Sequence, residues 1–374
     1  MISRRARRLV RATVALAAIA AVLVTVGCAV LSLPQFGASM AGTRLARALA
    51  NPQYADGRFV NLEPEAPSTT SLLDYTLRQL SGDEVREPPA PLPVLAVDKA
   101  ALAAAPASSG LRAFWIGHAS AYVEADGVRF LLDPVFAERV SPLPVGPRRF
   151  HAPPIALADL PPIDAVLISH DHYDHLDMDT VRQLARGGTR FFVGLGIGAY
   201  LQRWGVPLAQ IQEMDWWEKA EFRGVEIHST PARHYSGRKS MDDSTLWSSW
   251  MIKSVSYSVY YSGDTGYGPH FGEIRKRLGV PDLVLMKVGA YGHSWLDIHM
   301  DPESAVQAQR DLGSTVMLPV HWATFNMSYH AWAEPIERTL AAAQGTDVQV
   351  VTPRVGEPYE FGHPVVSQAW FRRP

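Results

Sequence analysis

Ser169-His170-Asp171-His172-Tyr173-Asp174-His175-Leu176-Asp177 follows directly on the apolar run Ala165 to Ser169 and leads into Asp179 to Ala185, which reads as a helix. His170, His172, Asp174 and His175 fall in the order H-x-H-x-D-H within six residues. Such a group cannot be buried without partners. Neutral imidazoles and carboxylates are the donors taken by zinc and related divalent metals. With His170 and His172 on one side of a loop and Asp174 and His175 on the other, two metals can be bound. Two metals need more than four donors, and three more stand just past β-rich runs: His234 in Thr230-Pro231-Ala232-Arg233-His234, Asp264 in Ser262-Gly263-Asp264-Thr265-Gly266, and His321 in Leu318-Pro319-Val320-His321-Trp322.

From Leu111 onward the texture is that of a folded α/β domain. Ala113 to Ile116, Ala121 to Glu124 and Val128 to Leu132 are short β-rich runs, with Asp126-Gly127 marking a hairpin turn. Further strands are predicted at Arg190–Val193, Val225–Thr230, Ser248–Ile252, Ser256–Tyr261, Leu283–Lys287 and Thr315–Pro319, and helices at Pro269–Leu278, Pro302–Leu312 and Pro335–Ala343. Antiparallel strands, then strands alternating with helices, predict two sheets packed face to face with helices outside. That arrangement brings strand ends and their following loops to one edge.

The 374 residues are 47% hydrophobic and 19% charged, enough apolar material for a sizeable core. Basic and acidic residues number 35 and 37, so there is no basic footprint for nucleic acid. The one cysteine, Cys28, excludes intrachain disulfides and cysteine-cluster metal sites. Arg4, Arg5, Arg7, Arg8 and Arg11 precede the uncharged run Ala12 to Leu33, so residues 1–33 read as a signal peptide or membrane anchor. Val24-Thr25-Val26-Gly27-Cys28 loosely resembles a lipoprotein box with Cys28 as the lipidated residue; the alternative is a small apolar residue within an anchor helix. In either case the basic end stays cytoplasmic, and the expected location is a bacterial cell envelope with the catalytic domain in the periplasm. Residues 34–110, with Pro88, Pro89, Pro91 and Pro93 and an Ala/Ser/Pro spacer from Ala100 to Gly110, read as an arm and linker, with a short helix at Asp74 to Leu80. Residues 111–374 read as the catalytic domain.

The H-x-H-x-D-H run with a downstream His, Asp and His at strand ends resembles the metallo-β-lactamase superfamily. Trp115-Ile116-Gly117-His118-Ala119, Leu132-Asp133-Pro134, Gly146-Pro147-Arg148-Arg149-Phe150, the run from Pro162 to His170, Gly263-Asp264-Thr265-Gly266-Tyr267 and His321-Trp322 are similar to the N-acylphosphatidylethanolamine-hydrolysing phospholipase D branch, over roughly residues 112–345. Bacterial members of that branch also resemble ascorbate-6-phosphate lactonase and RomA-like proteins. The resemblance implies an αβ/βα sandwich with two zinc ions at one sheet edge: His170, His172 and His234 on one, Asp174, His175 and His321 on the other, and Asp264 bridging. It further implies Asp133 as a supporting carboxylate, or else a turn residue, and His299, in Ile298-His299-Met300-Asp301, as a contact to substrate phosphate or leaving group.

Asp174, Asp264 and His299 are thus the catalytic candidates, Asp174 orienting the nucleophile. His118 reads as a supporting hydrogen-bonding residue, and His293 as a surface residue or substrate selector. His151, His228, His270, His330 and His363 read as structural, and Trp216-Trp217 and Trp247 to Trp250 as core aromatics. Tyr235 departs from the phospholipase pattern at the pocket wall.

The function expected is zinc-dependent phosphodiester hydrolysis on a membrane phospholipid, with a homodimer raised by the resemblance. Hydrolysis of a soluble phosphate ester or lactone is the alternative, and a catalytically silent envelope binding protein is the alternative from another class. The branch resemblance points away from β-lactam hydrolysis.

Overall fold

The computed structural model describes residues 4–64, 71, 73–74, 77–78, 81–104, 110–363 and 369–372. Helix α1 (Arg4–Leu31) contains the stretch Thr13–Leu31, with a mean hydropathy of 2.7 and no part buried in the protein, long and apolar enough to cross a membrane. The chain beyond it is tied down at once. Arg203 donates to the Ser32 carbonyl (2.5 Å), the Trp204 indole to that of Pro34 (2.7 Å), and Arg238 to that of Gln35 (2.8 Å). Gly37 sits at φ 81°, where a Cβ would fall 2.6 Å from the Tyr200 ring.

Helix α2 (Gly42–Leu49) and the hairpin β1 (Tyr54–Ala55) and β2 (Arg58–Phe59) follow, and Ala48 and Phe59 bury against Trp216, Leu246 and Trp247. Asn61 then pairs with the backbone of His234 in both directions: its amide donates to the His234 carbonyl (2.7 Å), and its side-chain oxygen accepts from the His234 N–H (3.0 Å). Residues 34–61 are therefore part of the folded body, not a free connecting arm. Their elements are too short for periodicity to reveal them. The expected helix at Asp74 to Leu80 lies partly outside the described residues. Helix α3 (Lys99–Ala103), capped by Asp98, forms in the expected spacer, whose residues 105–109 also lie outside the described set.

Next come β3 (Leu111–Gly117), β4 (Ser120–Ala125), β5 (Val128–Leu132), β6 (Ala165–Ile168), α4 (Met178–Arg186), β7 (Arg190–Gly194), α5 (Ile197–Arg203) and β8 (Ile211–Met214). The turn between β4 and β5 has Asp126 at φ 47° and Gly127 at 82°, the left-handed pair that a tight hairpin demands. The second half supplies β9 (Lys219–Phe222), β10 (Val225–Thr230), β11 (Ser249–Lys253), β12 (Ser258–Tyr261), α6 (His270–Leu278), β13 (Leu283–Lys287), α7 (Pro302–Leu312), β14 (Val316–Val320), α8 (Glu334–Ala343), β15 (Gln349–Val350) and β16 (Pro358–Glu360). One seven-stranded sheet runs β16-β3-β4-β5-β6-β7-β8, the other β15-β14-β13-β12-β11-β10-β9.

Alternation of side chains explains the sandwich. Ala113, Trp115, Val123, Phe130, Leu132 and Leu167 of the first sheet pack inward with the second sheet. Their neighbours Phe114, Ile116, Tyr122, Leu131, Val166 and Ile168 face outward beneath Val181 and Leu184 of α4 and Leu201 of α5. Both faces are buried, so the strands read as continuous apolar runs. Phe271, Ile274, Ala305, Val306 and Ile336 bring α6, α7 and α8 onto the second sheet. The expected αβ/βα sandwich is the fold found. The edge strands β8, β9, β15 and β16 and helix α5 were not legible: β9 is half charged, and α5 opens on Gly196-Ile197-Gly198.

Burial keeps two structural histidines neutral, with the pKa of His151 pushed down to about 4 and that of His270 to about 3. The unfolded chain takes up these protons near pH 6.5 and the folded one does not. Stability therefore falls as pH drops from about 6.5 towards 4, by up to about 2 kcal/mol for each histidine at pH 5. Urea denaturation at pH 5 and pH 7 measures this, and His151→Gln or His270→Gln is expected to flatten the dependence.

Candidate metal centre

The donors converge because each stands where a strand has just ended. Asp133 follows β5, His170 follows β6, His234 follows β10, Asp264 follows β12 and His321 follows β14. The edge is closed by contacts between the two sheets. The Ser248 N–H donates to the Ser169 carbonyl (2.8 Å), and the His321 N–H to that of His118 (2.8 Å). Gly263, at φ 54°, would carry a Cβ 2.5 Å from that of Ser169. Only glycine lets Asp264 approach the H-x-H-x-D-H loop so closely.

Two donor groups result. His170 Nε2 lies 2.8 Å from His172 Nδ1, and His234 Nε2 lies 3.3 Å from the same atom. In the second group Asp264 Oδ2 lies 3.1 Å from His321 Nε2 and 3.4 Å from His175 Nε2, while Asp174 Oδ2 lies 3.4 and 3.3 Å from the same two nitrogens. Asp264 Oδ2 is also 3.9 Å from His234 Nε2, so this carboxylate stands between the groups. All seven residues named from the sequence are thus brought together.

The partners around the groups set their tautomers. His234 Nδ1 donates to the Ile298 carbonyl (3.0 Å), and His175 Nδ1 donates to Asp133 (2.6 Å), which leaves both Nε2 lone pairs facing the centre. Asp133 also accepts from the Ser169 N–H (2.6 Å), the Ser169 hydroxyl (2.5 Å) and the Tyr261 hydroxyl (2.6 Å). It stands at φ 38° in the turn after β5, so it is both the turn residue and the supporting carboxylate. His118 Nε2 donates to Asp174 Oδ2 at 2.8 Å. Burial pushes its pKa down to about 3, so the ring is neutral at pH 7.

Electrostatics mark the same place. Burial opposes charge on His175, yet the carboxylates of Asp264, Asp174 and Asp133 hold its pKa well above the ordinary histidine value, so the surroundings call for positive charge at Nε2, which a metal ion would supply in place of a proton. Burial likewise opposes ionisation of Asp264, but His321 and His175 hold its carboxyl well below the usual range. Burial drives His170 and His234 well below the ordinary value. Inside this cluster His175 Nε2, His321 Nε2 and Asp264 Oδ1 are buried with no hydrogen-bond partner among the described residues. Buried polar atoms left unpaired are costly, and three converging lone-pair sites fit divalent metal ions. The clustered histidines and aspartates form the kind of site that holds two metals.

Around the rim, His299 Nε2 lies 3.8 Å from Asp264 Oδ2, and the Tyr235 ring centre is 4.4 Å from that of His172. His293 is exposed. Trp216, Trp247 and Trp250 are core residues as expected. Sequence reading passed over Lys287, which is fully buried at the end of β13 and donates to the Met300 carbonyl (3.1 Å), fixing the residue next to His299. Burial lowers its pKa to about 7. The only signal was a lysine closing an otherwise apolar strand. Also passed over was Arg86, which lines a small cavity beside His118 and His321 with Phe325, Met327 and Trp332.

A family model described as a beta-lactamase superfamily domain matches residues 128–322. The chain is 43% identical over 331 residues to the uncharacterized protein Rv0906 of Mycobacterium tuberculosis, covering 86% of this chain and 88% of that protein. It is 34% identical over 272 residues to N-acyl-phosphatidylethanolamine-hydrolyzing phospholipase D 1 of Caenorhabditis elegans, covering 67% of this chain and 76% of that one. Among solved structures, the metallo hydrolase Igni18 of Ignicoccus hospitalis superposes with a TM-score of 0.51 at 26% identity, covering 67% of this chain and 99% of that one.

Asp133→Asn is expected to weaken metal binding by about 10- to 100-fold through loss of the His175 acceptor, and Tyr261→Phe by less. Competition with a chelating dye measures both, with circular dichroism to check the fold.

Proposed function

This chain belongs to the beta-lactamase superfamily and is a metal-dependent hydrolase; on that premise we propose that it is a two-zinc phosphodiesterase of the N-acylphosphatidylethanolamine phospholipase D type, acting on a membrane lipid. The observation that carries this reading is the stance of Asp264 between two donor groups, with His299 over the same carboxylate. The similarity to the nematode phospholipase supports the substrate class, and α1 supports access to lipid. In this reading α1, or a lipid on Cys28, holds the protein to a bacterial envelope membrane with the catalytic domain on the periplasmic side.

His170, His172 and His234 would hold one metal and Asp174, His175 and His321 the other, with Asp264 shared. Two zinc ions there supply Lewis-acid neutralisation of phosphoryl oxygens and a water of lowered pKa. The protein's own groups do the rest. Asp174, fixed by His118, orients the water that attacks phosphorus. His299, kept largely neutral by burial, donates a hydrogen bond to a phosphate oxygen or the departing alkoxide. Lys287 holds the backbone beside His299 in place. Attack at phosphorus forms a P–O bond to the water oxygen and breaks the P–O bond to the N-acylethanolamine oxygen; of the water's two protons, one ends on that departing oxygen and the other stays with, or ionises from, the new phosphate monoester.

Elemental analysis together with hydrolysis of N-acylphosphatidylethanolamine in mixed micelles tests the reading. The expected result is two zincs per chain and chelator-sensitive release of N-acylethanolamine and phosphatidic acid. Asp264→Asn is expected to reduce turnover at least about 10³-fold while the protein stays folded. Turnover of soluble esters or lactones alone would move the assignment to a soluble substrate.

A further inference from the structure

The end of α1 meets the catalytic domain beside an unusual loop. Gln35, three residues beyond Ser32, donates from its amide to the Pro142 carbonyl (3.1 Å). Pro142 belongs to Arg139-Val140-Ser141-Pro142-Leu143-Pro144-Val145-Gly146-Pro147-Arg148, where Leu143 is 40% and Val145 62% exposed. The loop is braced. The Val140 N–H donates to the Pro147 carbonyl (3.2 Å), Arg139 donates to that of Gly146 (2.6 Å), and three prolines restrict the tip. Across from it, Arg238 donates to the Gln35 carbonyl and leads into Lys239-Ser240-Met241, with Met241 78% exposed.

The base of the same loop reaches the metal centre. Val140 is buried with Val135 and Phe325, and Tyr173 of the H-x-H-x-D-H run packs on them. The Phe325 ring centre is 5.1 Å from that of His118. A rigid tip carrying solvent-facing leucine and valine is costly in water and suits an apolar phase. Arg139 and Arg148 stand in the loop, Arg203 holds the end of α1 and Lys239 stands two residues before Met241, against Glu138, which pairs with Arg148, and Asp242. That balance suits the anionic headgroup layer.

We propose that Leu143, Val145 and Met241 form a bilayer-docking surface that seats the catalytic domain on the membrane holding α1 and brings the rim of the metal centre to the headgroups. The inference rests on the membrane reading of α1 given above. A lipid on Cys28 would leave the geometry unchanged, because Cys28 lies only four residues before Ser32. The surface marks the substrate as one drawn from the bilayer.

The test uses the full chain carrying Cys28→Ser and, singly, Leu143→Cys, Val145→Cys or Val255→Cys, labelled with bimane. The proteins are reconstituted in phosphatidylcholine/phosphatidylglycerol vesicles containing doxyl lipid. Val255 is 89% exposed in the turn between β11 and β12, at the far end of β12 from Asp264, and serves as the control. Labels at 143 and 145 are expected to shift to the blue and be quenched by the doxyl lipid, with the label at 255 unaffected. Equal quenching at all three positions, or quenching at 143 only by a labelled second copy, overturns the proposal.

The paired change Leu143→Asp and Val145→Asp is expected to lower hydrolysis of vesicle-borne lipid about tenfold while leaving bis(p-nitrophenyl) phosphate turnover unchanged. An equal loss on both substrates also overturns it. Insertion of both labels in a protein that hydrolyses no lipid phosphodiester would retain the docking surface and reject the phospholipase reading instead.

Discussion

The carboxylate of Asp133 is the constraint on which the metal centre depends. It accepts four hydrogen bonds, from the Ser169 N–H and hydroxyl and His175 on the first sheet's loops and from Tyr261 on the second sheet. A buried carboxylate is tolerable only when its oxygens are satisfied, so the two sheets must meet at this one register. The same set of bonds turns the His175 ring so that Nε2 faces Asp174 and Asp264. Architecture and donor geometry are settled by a single group.

What lies inside that frame is electrostatically unfinished. His321 Nε2, His175 Nε2 and Asp264 Oδ1 are buried with no hydrogen-bond partner among the described residues, a state a folded chain does not keep for its own stability. Backbone conformation tells the same story, since His118, Asp133 and His321 all have positive φ, at 52°, 38° and 68°. Non-glycine residues held there are strained, and such strain concentrates where the surroundings impose a geometry for function. The packed sandwich beneath supplies the rigidity that keeps these lone pairs aimed at one another.

Much of this was legible in the sequence because its parts are local. The H-x-H-x-D-H run shows four donors within a single loop, and the positions of His234, Asp264 and His321 after β-rich runs point to one sheet edge. The buried apolar strands were equally plain. Lys287 was not legible, because a lysine that ends an apolar strand usually reaches solvent, whereas this one is buried and donates to the Met300 carbonyl in the loop before α7. Nor was the bond from His118 to Asp174, which joins residues 56 apart through sheet pairing. The packing of residues 34–61 was hidden for a different reason: its elements are too short to show a period, and its apolar side chains find their partners only in the folded domain.

Asn61 gives that packing its weight. Its side chain closes both backbone groups of His234 and its oxygen also accepts from the Trp247 indole (2.9 Å). The stretch that follows the apolar helix α1 therefore completes the wall behind one donor group. Residues 34–61 and the metal-binding body are in consequence a single packed unit. A recombination event that joined this metal centre to a foreign N-terminal segment at residue 111 would preserve every motif and still strip His234 of its backing.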